Sequence, residues 1–340
     1  MKALVKRENG PGLHLEEVPI PEPGEREVRV RVRHTAICGT DVHIYKWDAW
    51  AAKTIPVPLV IGHEFVGHID AVGCGVRSYA VGDRVTAEGH IICGQCRNCL
   101  TGRGHNCQAS QGLGVNRQGA FAEYIVVPES NLWALPDEIP DEVAACFDPL
   151  GNAVHTALSF DLRGEDVLIT GAGPLGLMGA AIARFCGAKN VVVSDVNPKR
   201  LQLAKQFGAQ LVNPGQTSIR DFARSIGVKE GFDVGLEMSG NPTAFHDMTH
   251  NMIHGGKIAL LGLFREPFAV DWNEHIFNGL IFKGVSGREM FDTWYKMTAL
   301  VQAGLDIRPV ITHRMPYTEY ERAFETILAG DSGKIVLRWN

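Results

Sequence analysis

The 340-residue chain has no surplus of positive charge: 33 Lys and Arg stand against 38 Asp and Glu, a net of −5. A polyanionic nucleic acid would meet mild repulsion, and no local basic patch reverses the balance. The opening residues, MKALVKRENG, lack the apolar stretch of about 7 to 15 residues that a secretory signal requires. The thiols are therefore expected to stay reduced, which directs the eight cysteines toward metal ligation rather than disulfides. Val167 to Ala183 carries no charge and approaches the length of a membrane span, but its glycines and proline suit a strand, a tight turn and a helix instead. Internal repeats and low-complexity linkers are absent too. With 45% hydrophobic residues, 38 glycines and 17 prolines, what remains is a turn-rich globular chain of α/β class, long enough for two domains.

The pattern changes near residue 150. Between Glu27 and Arg33, Val28, Val30 and Val32 alternate with arginines, the period-two mark of a strand with one buried face. Short β-branched runs at Val66 to Val72 and Tyr124 to Val127, among dense Gly and Pro turn signals, extend this into an irregular, mostly antiparallel β domain. Six later runs are spaced by helical segments: Val167 to Thr170, Val191 to Ser194, Gln210 to Val212, Phe232 to Leu236, Lys257 to Leu261 and Leu280 to Gly284. They predict a doubly wound parallel sheet. A helix is expected over Met290 to Gly304, and the strand-like Gly333 to Leu337 should return to the first domain. The junctions fall near 148 and 290, giving one domain over 1–148 completed by 290–340 and a second over 149–289.

Two groups of residues have metal-ligand chemistry. Cys38, followed about 25 positions on by His63 and Glu64, offers one sulfur, one nitrogen and one oxygen donor. Three protein ligands leave a position open, and an open position makes a bound Zn²⁺ a Lewis acid. Cys93, Cys96, Cys99 and Cys107 form a C-x2-C-x2-C-x7-C cluster whose four thiolates would close a tetrahedral, structural zinc. Thr40 and His43 lie three residues apart just after Cys38, on one face if the segment is helical, and can form a hydroxyl-to-imidazole proton path. His14, His34, His246, His250 and His275 are expected to be surface or packing residues.

A Gly-x-Gly-x-x-Gly pattern is weak evidence alone, but here Gly171-Ala-Gly173-Pro-Leu-Gly176 follows an apolar run and opens a helix. Asp195 follows about 20 residues later, at the end of the next run. Gly171 permits the tight turn, Gly173 lets the backbone approach a pyrophosphate, and Gly176 lets the helix pack on its strand. The Leu175 amide then lies at the helix N-terminus, where it can bind phosphate oxygens. Asp195 accepts from ribose hydroxyls and repels a 2′-phosphate, favouring NAD over NADP. Arg200 is assigned to stacking or hydrogen bonding at the NAD ribose, although a guanidinium there could also serve a 2′-phosphate.

The order Cys38-Gly-Thr-Asp, Gly62-His-Glu64, four-cysteine lobe, GAGPLG is similar to the zinc-containing medium-chain alcohol dehydrogenases over essentially the whole chain. The strings TAICGTDVHIYKWDAW, EGHIICGQCRNC, FDPLGNAVHTALSFDL, FDVGLEMSG and SGREMFDTWYKM resemble the branch that oxidises L-threonine at C3. The resemblance implies a GroES-like β-rich catalytic domain beside a Rossmann NAD-binding domain, with the active cleft between them. It implies two zinc ions per chain, NAD as cofactor, L-threonine as the small-molecule substrate, and a cytoplasmic homotetramer with neither nucleic acid nor membrane as partner. By position, Cys38, His63 and Glu64 match catalytic zinc ligands, the four-cysteine lobe matches structural ones, and Thr40 with His43 matches a charge-relay pair. Leu175, Asp195, Arg200, the Gly262-Leu263-Phe264 turn and Ser286-Gly287 match NAD contacts. Asp148 falls where relatives place a residue near the metal, one methylene short of Glu, for proton transfer or ligand orientation. Arg288, Glu289 and Asp148 are available for the substrate's ammonium and carboxylate, with surface salt bridging the expected use of the first two. Two other functions remain: a polyol or secondary-alcohol dehydrogenase of sorbitol or butanediol type, and a nonenzymatic zinc- and nucleotide-binding protein.

Overall fold

The computed structural model describes residues 1–339 and divides into two compact units, Met1–Pro149 with the chain from Ile311 onward, and Leu150–Val310. The first unit is built on the strand Glu27–Ala36, where Val28, Val30 and Val32 are fully buried and the intervening arginines turn outward. Antiparallel partners lie along it: Glu64–Val72, Tyr124–Pro128 and Lys334–Arg338. Ile311–Pro316 joins the last of these in parallel, while Arg84–Ala87 and Leu132–Ala134 extend the other edge to complete a seven-stranded sheet. Two registers matter for function. Ala36 is opposite Glu64 on one side and opposite Val336 on the other, so residues far apart in sequence meet beside Cys38.

The second unit holds a six-stranded parallel sheet whose spatial order, in its own strand numbering, is third, second, first, fourth, fifth, sixth. Its strands are Asp166–Thr170, Asn190–Ser194, Gln210–Val212, Phe232–Glu237, Met252–Leu260 and Ile281–Gly284, matching the six runs read from the sequence. The first strand is buried at all five positions, as expected for a parallel strand covered on both faces. Each fully buried Val, Leu or Ile contributes roughly 1.5–3 kcal/mol. The uncharged stretch Val167 to Ala183 becomes this strand, the glycine turn and the helix Pro174–Phe185. Among the described residues no helix is long and apolar enough to cross a membrane.

One boundary differs from the sequence reading. The helix Asp292–Gln302 belongs to the second unit, which runs to Val310 rather than ending at 289. Its Trp294 and Met297 are fully buried, with Arg288 over the Trp294 ring at 5.7 Å and the Met297 sulfur facing the backbone of Gly151. Burial of that apolar face holds the helix there. The strand Lys334–Arg338 does return to the first sheet.

Candidate metal centres and dinucleotide loop

Cys38 is the N-cap of the helix Gly39–Lys46, so Thr40 and His43 do share one helix, and the Thr40 hydroxyl lies 3.8 Å from the Cys38 sulfur. His63 and Glu64 enter at the start of the strand Glu64–Val72 after Gly62, whose φ of +90° and contact with the Phe121 ring, 2.2 Å from where a Cβ would stand, require glycine. The outcome is that one ligand atom each from Cys38, His63 and Glu64 lies within 4.8 Å of the others.

The charges around this trio favour a cation among its donors. Burial favours the neutral His63 ring, yet the charges of Cys38, Asp41 and Asp148 outweigh it and hold its proton well above the usual imidazole range. Burial pushes Glu64 up to about 7 against the pull of Lys334 and His63. Lys334 is itself buried: burial opposes its charge, but Glu64, Cys38 and Cys146 raise it above its ordinary value. Its ammonium lies 2.7 and 2.6 Å from the two Glu64 oxygens and donates to the Ile37 carbonyl at 2.8 Å. Asp41, fully buried, accepts the Cys38 amide at 2.8 Å with one oxygen. Its other oxygen faces His63 Nδ1 at 3.9 Å, and both of those atoms lack a hydrogen-bond partner. Sequence reasoning missed Asp41 and Lys334 as supports of the trio. Asp148 is buried and its charge acts on His63 and Glu64, but it does not join the three converging donors.

In the cysteine lobe the sulfur pairs Cys96–Cys99, Cys93–Cys107, Cys93–Cys99 and Cys96–Cys107 are 3.4, 3.6, 3.9 and 3.9 Å apart, and all four thiols are free. A tetrahedral zinc with bonds of about 2.3 Å sets its sulfurs about 3.8 Å apart, so the cage has the size of that ion. The amides of Gln95 and Cys96 lower Cys93 to about 6, whereas burial raises Cys99 to about 12. Only a cation lets four such sulfurs ionise together.

At the glycine turn, Gly171 has φ +92°, and a Cβ on Gly176 would stand 1.8 Å from the Gly171 carbonyl oxygen, the close helix-to-strand approach the motif predicts. Nothing lies within 4 Å of a Cβ position on Gly173, the N-cap of the helix, which leaves an open cradle in front of the Leu175 amide. Asp195 accepts the Ala172 amide at 2.7 Å and the Asn197 amide at 2.8 Å, tying the glycine loop to the next helix. Arg200 Nε is buried with no partner. An open backbone cradle, a half-buried carboxylate and an unpaired guanidinium nitrogen fit a dinucleotide.

The remaining candidates lie in the same unit. Leu263 is 90% exposed, while Phe264 packs on Phe268 and Phe245 at 4.8 and 6.0 Å between ring centroids. Ser286 is exposed, and the Gly287 carbonyl accepts from His155 at 3.0 Å. Arg288 is 1% exposed and bonded to Asn152 at 3.2 Å, which corrects the expected surface ion pair; the stacked Trp294 gives the guanidinium a buried seat. Glu289 is 3.5 Å from His155. Glu237 was also missed. This buried carboxylate accepts from the Ser239 amide and hydroxyl and the Gly240 amide, and the Leu261 and Gly262 amides bond to its carbonyl. It thereby joins the loops following the fourth and fifth strands.

Residues 24–137 match the alcohol dehydrogenase GroES-like domain and residues 174–303 the zinc-binding dehydrogenase family. The chain is 57% identical over 341 residues to an L-threonine 3-dehydrogenase of Idiomarina loihiensis, covering 100% of both chains. It is 58% identical over 340 residues to an L-threonine 3-dehydrogenase of Rhizobium rhizogenes, covering 100% of this chain and 99% of that one. An Escherichia coli alcohol dehydrogenase solved in complex with NADH superposes with a TM-score of 0.91 at 30% identity, over 100% of this chain and 99% of the other. Likeness of that strength along the entire length makes the chain a member of the zinc-containing medium-chain alcohol dehydrogenase family.

Proposed function

We propose that this oxidoreductase catalyses the NAD-dependent oxidation of L-threonine at C3, giving 2-amino-3-oxobutanoate and NADH. The observation that carries the reading is the end-to-end 57% identity to a relative bearing that activity in its name. The first unit would be the catalytic domain and the second the NAD-binding domain.

When bound, zinc would supply Lewis acidity at the C3 hydroxyl and NAD would supply the hydride acceptor. Cys38, His63 and Glu64 would hold that zinc, with Asp41 backing His63 and Lys334 orienting Glu64. The hydroxyl proton leaves through Thr40 and the exposed ring of His43, while the C–H electron pair departs with the hydride as C3 becomes a carbonyl. Asp148 adds negative charge at the edge of the donor set, where it favours proton removal or orients the ligands. Gly171, Gly173, Leu175 and Gly176 receive the pyrophosphate, and Asp195 and Arg200 receive the adenosine ribose. Backbone at Gly262, Leu263, Phe264, Ser286 and Gly287 contacts the rest of the cofactor. Cys93, Cys96, Cys99 and Cys107 would hold a second, structural zinc.

We also infer a cytoplasmic homotetramer. Eight free cysteines suit a reducing compartment. The strand Ile281–Gly284 ends its sheet beside exposed Trp272, Ile276 and Phe277, an apolar edge suited to another copy. Light scattering should give four chains per particle.

The test of substrate is NADH formation by the purified enzyme with L-threonine, sorbitol and 2,3-butanediol. L-threonine should be turned over with the highest kcat/KM; preference for an uncharged diol rejects the reading in favour of a polyol or secondary-alcohol dehydrogenase.

A further inference from the structure

The helix Gly39–Lys46 ends at Trp47, a non-glycine residue in the left-handed region with φ 56° and ψ 50°. Lys6 Nζ is held 4.7 Å from the centre of the Trp47 ring. The sharp turn brings the next residue, Asp48, back onto His43. One Asp48 oxygen caps the following helix Ala49–Thr54 by accepting the Ala51 amide at 3.1 Å, and the other bonds His43 Nδ1. Trp50 sets its ring edgewise to the same imidazole, 6.1 Å away at 67°. One short helix thus fixes the His43 ring from two sides, although nearly half of its side chain is exposed.

We propose that Asp48 is a positioning residue of the proton path, whose carboxylate fixes the tautomer of His43 so that Nε2 is the basic ring nitrogen. The inference rests on the reading of His43 as a proton carrier. Burial works against the charge on Asp48, but the Ala51 amide and the His43 bond outweigh it and hold the carboxyl below its ordinary value. An ionised carboxylate only accepts, so Nδ1 must carry the hydrogen. A neutral imidazole has one N–H, and the lone pair is therefore on Nε2. The hydroxyl proton passes by way of Thr40 to Nε2 and on to water; Asp48 stays ionised throughout and stabilises the transient imidazolium. An orienting carboxylate plays this part for histidine bases in unrelated hydrolases.

Asp48→Asn separates the two duties of the side chain, because Asn remains a good N-cap while presenting an amide N–H to Nδ1. That donor favours the opposite tautomer, with hydrogen on Nε2. In the zinc- and NAD-loaded enzyme kcat should fall about 10- to 100-fold, with KM for both substrates within about twofold of the parent. ¹⁵N spectra of histidine-labelled protein, with the His43 signal assigned from its loss in His43→Ala, should show Nδ1–H in the parent and Nε2–H in Asp48→Asn. Asp48→Ser also caps the helix and should lose kcat likewise, whereas Asp48→Glu should recover most of it. The inference is overturned if Asp48→Asn and Asp48→Ser keep parental kcat while His43→Ala loses it, or if kcat falls without a change of tautomer. Parental kcat in His43→Ala itself would remove the proton-path reading and this inference with it.

Discussion

The two clusters of metal-ligand side chains in the first unit are built in opposite ways. The cysteine lobe draws four like donors from fifteen consecutive residues and leaves three of them partly exposed. The trio draws three unlike donors from a helix N-cap and a strand entry, and buries Asp41 and Lys334 around them. Sulfurs packed at 3.4–3.9 Å would crowd like charges and depend on a cation to ionise together. The trio carries its own partial compensation, an ammonium on Glu64, and offers only three donors. A closed set of one donor type suits a metal that stays put, while an open mixed set suits a metal that takes substrate.

Removing the compensation should break this contrast most strongly. Lys334→Met leaves Glu64 without its buried partner and is expected to cost about 3–5 kcal/mol in denaturant unfolding, with Lys334→Arg costing less. A loss below about 1 kcal/mol would mean that the pair is not holding a buried charge. Glu237→Ala extends the comparison to the second unit, where a buried carboxylate is satisfied by amides and hydroxyls rather than by a cation. Stranding those donors should cost about 1–3 kcal/mol and weaken NAD binding measured by calorimetry; unchanged affinity would free the loops from dependence on Glu237.

The smallest effect concerns His275, buried among Phe245, Phe282 and Trp272 with neither ring nitrogen bonded. Burial lowers its proton affinity and His250 and His246 add to that, against Glu274 and Asp271. Its folded value lies below the unfolded one, so it costs nothing above about pH 6.5 and destabilises progressively as pH falls below that. His275→Leu should therefore keep Tm at pH 7.5 within about 3 °C of the parent and show a smaller fall in Tm on going to pH 5.5. An identical fall would place the acid sensitivity elsewhere.

Local patterns carried most of the fold into the sequence. Alternating valines marked the strand Glu27–Ala36, six apolar runs marked the parallel sheet, and the spacings of the cysteines and glycines needed only neighbouring residues. The misplaced boundary at 290 arose because a helix period does not say which core receives Trp294 and Met297. Lys334 escaped notice because its partner lies 270 residues away, joined to it only through strands flanking Ala36. A lone lysine opening the apolar strand Lys334–Arg338 was the available signal. Asp41 stands in the first turn of its helix and Glu237 at the end of its strand, positions where a carboxylate has no distinguishing local pattern.

One chain is expected to hold two zinc ions by these two separate sets, with the mixed set alone serving turnover. Counting zinc by mass spectrometry of the metal, alongside threonine-dependent NADH formation and NAD binding, tests it in the parent and in Cys38→Ser. Two zinc ions are expected in the parent, and in Cys38→Ser one zinc, background turnover and NAD affinity within about twofold of the parent. Undiminished turnover by Cys38→Ser with only one zinc remaining would contradict that expectation.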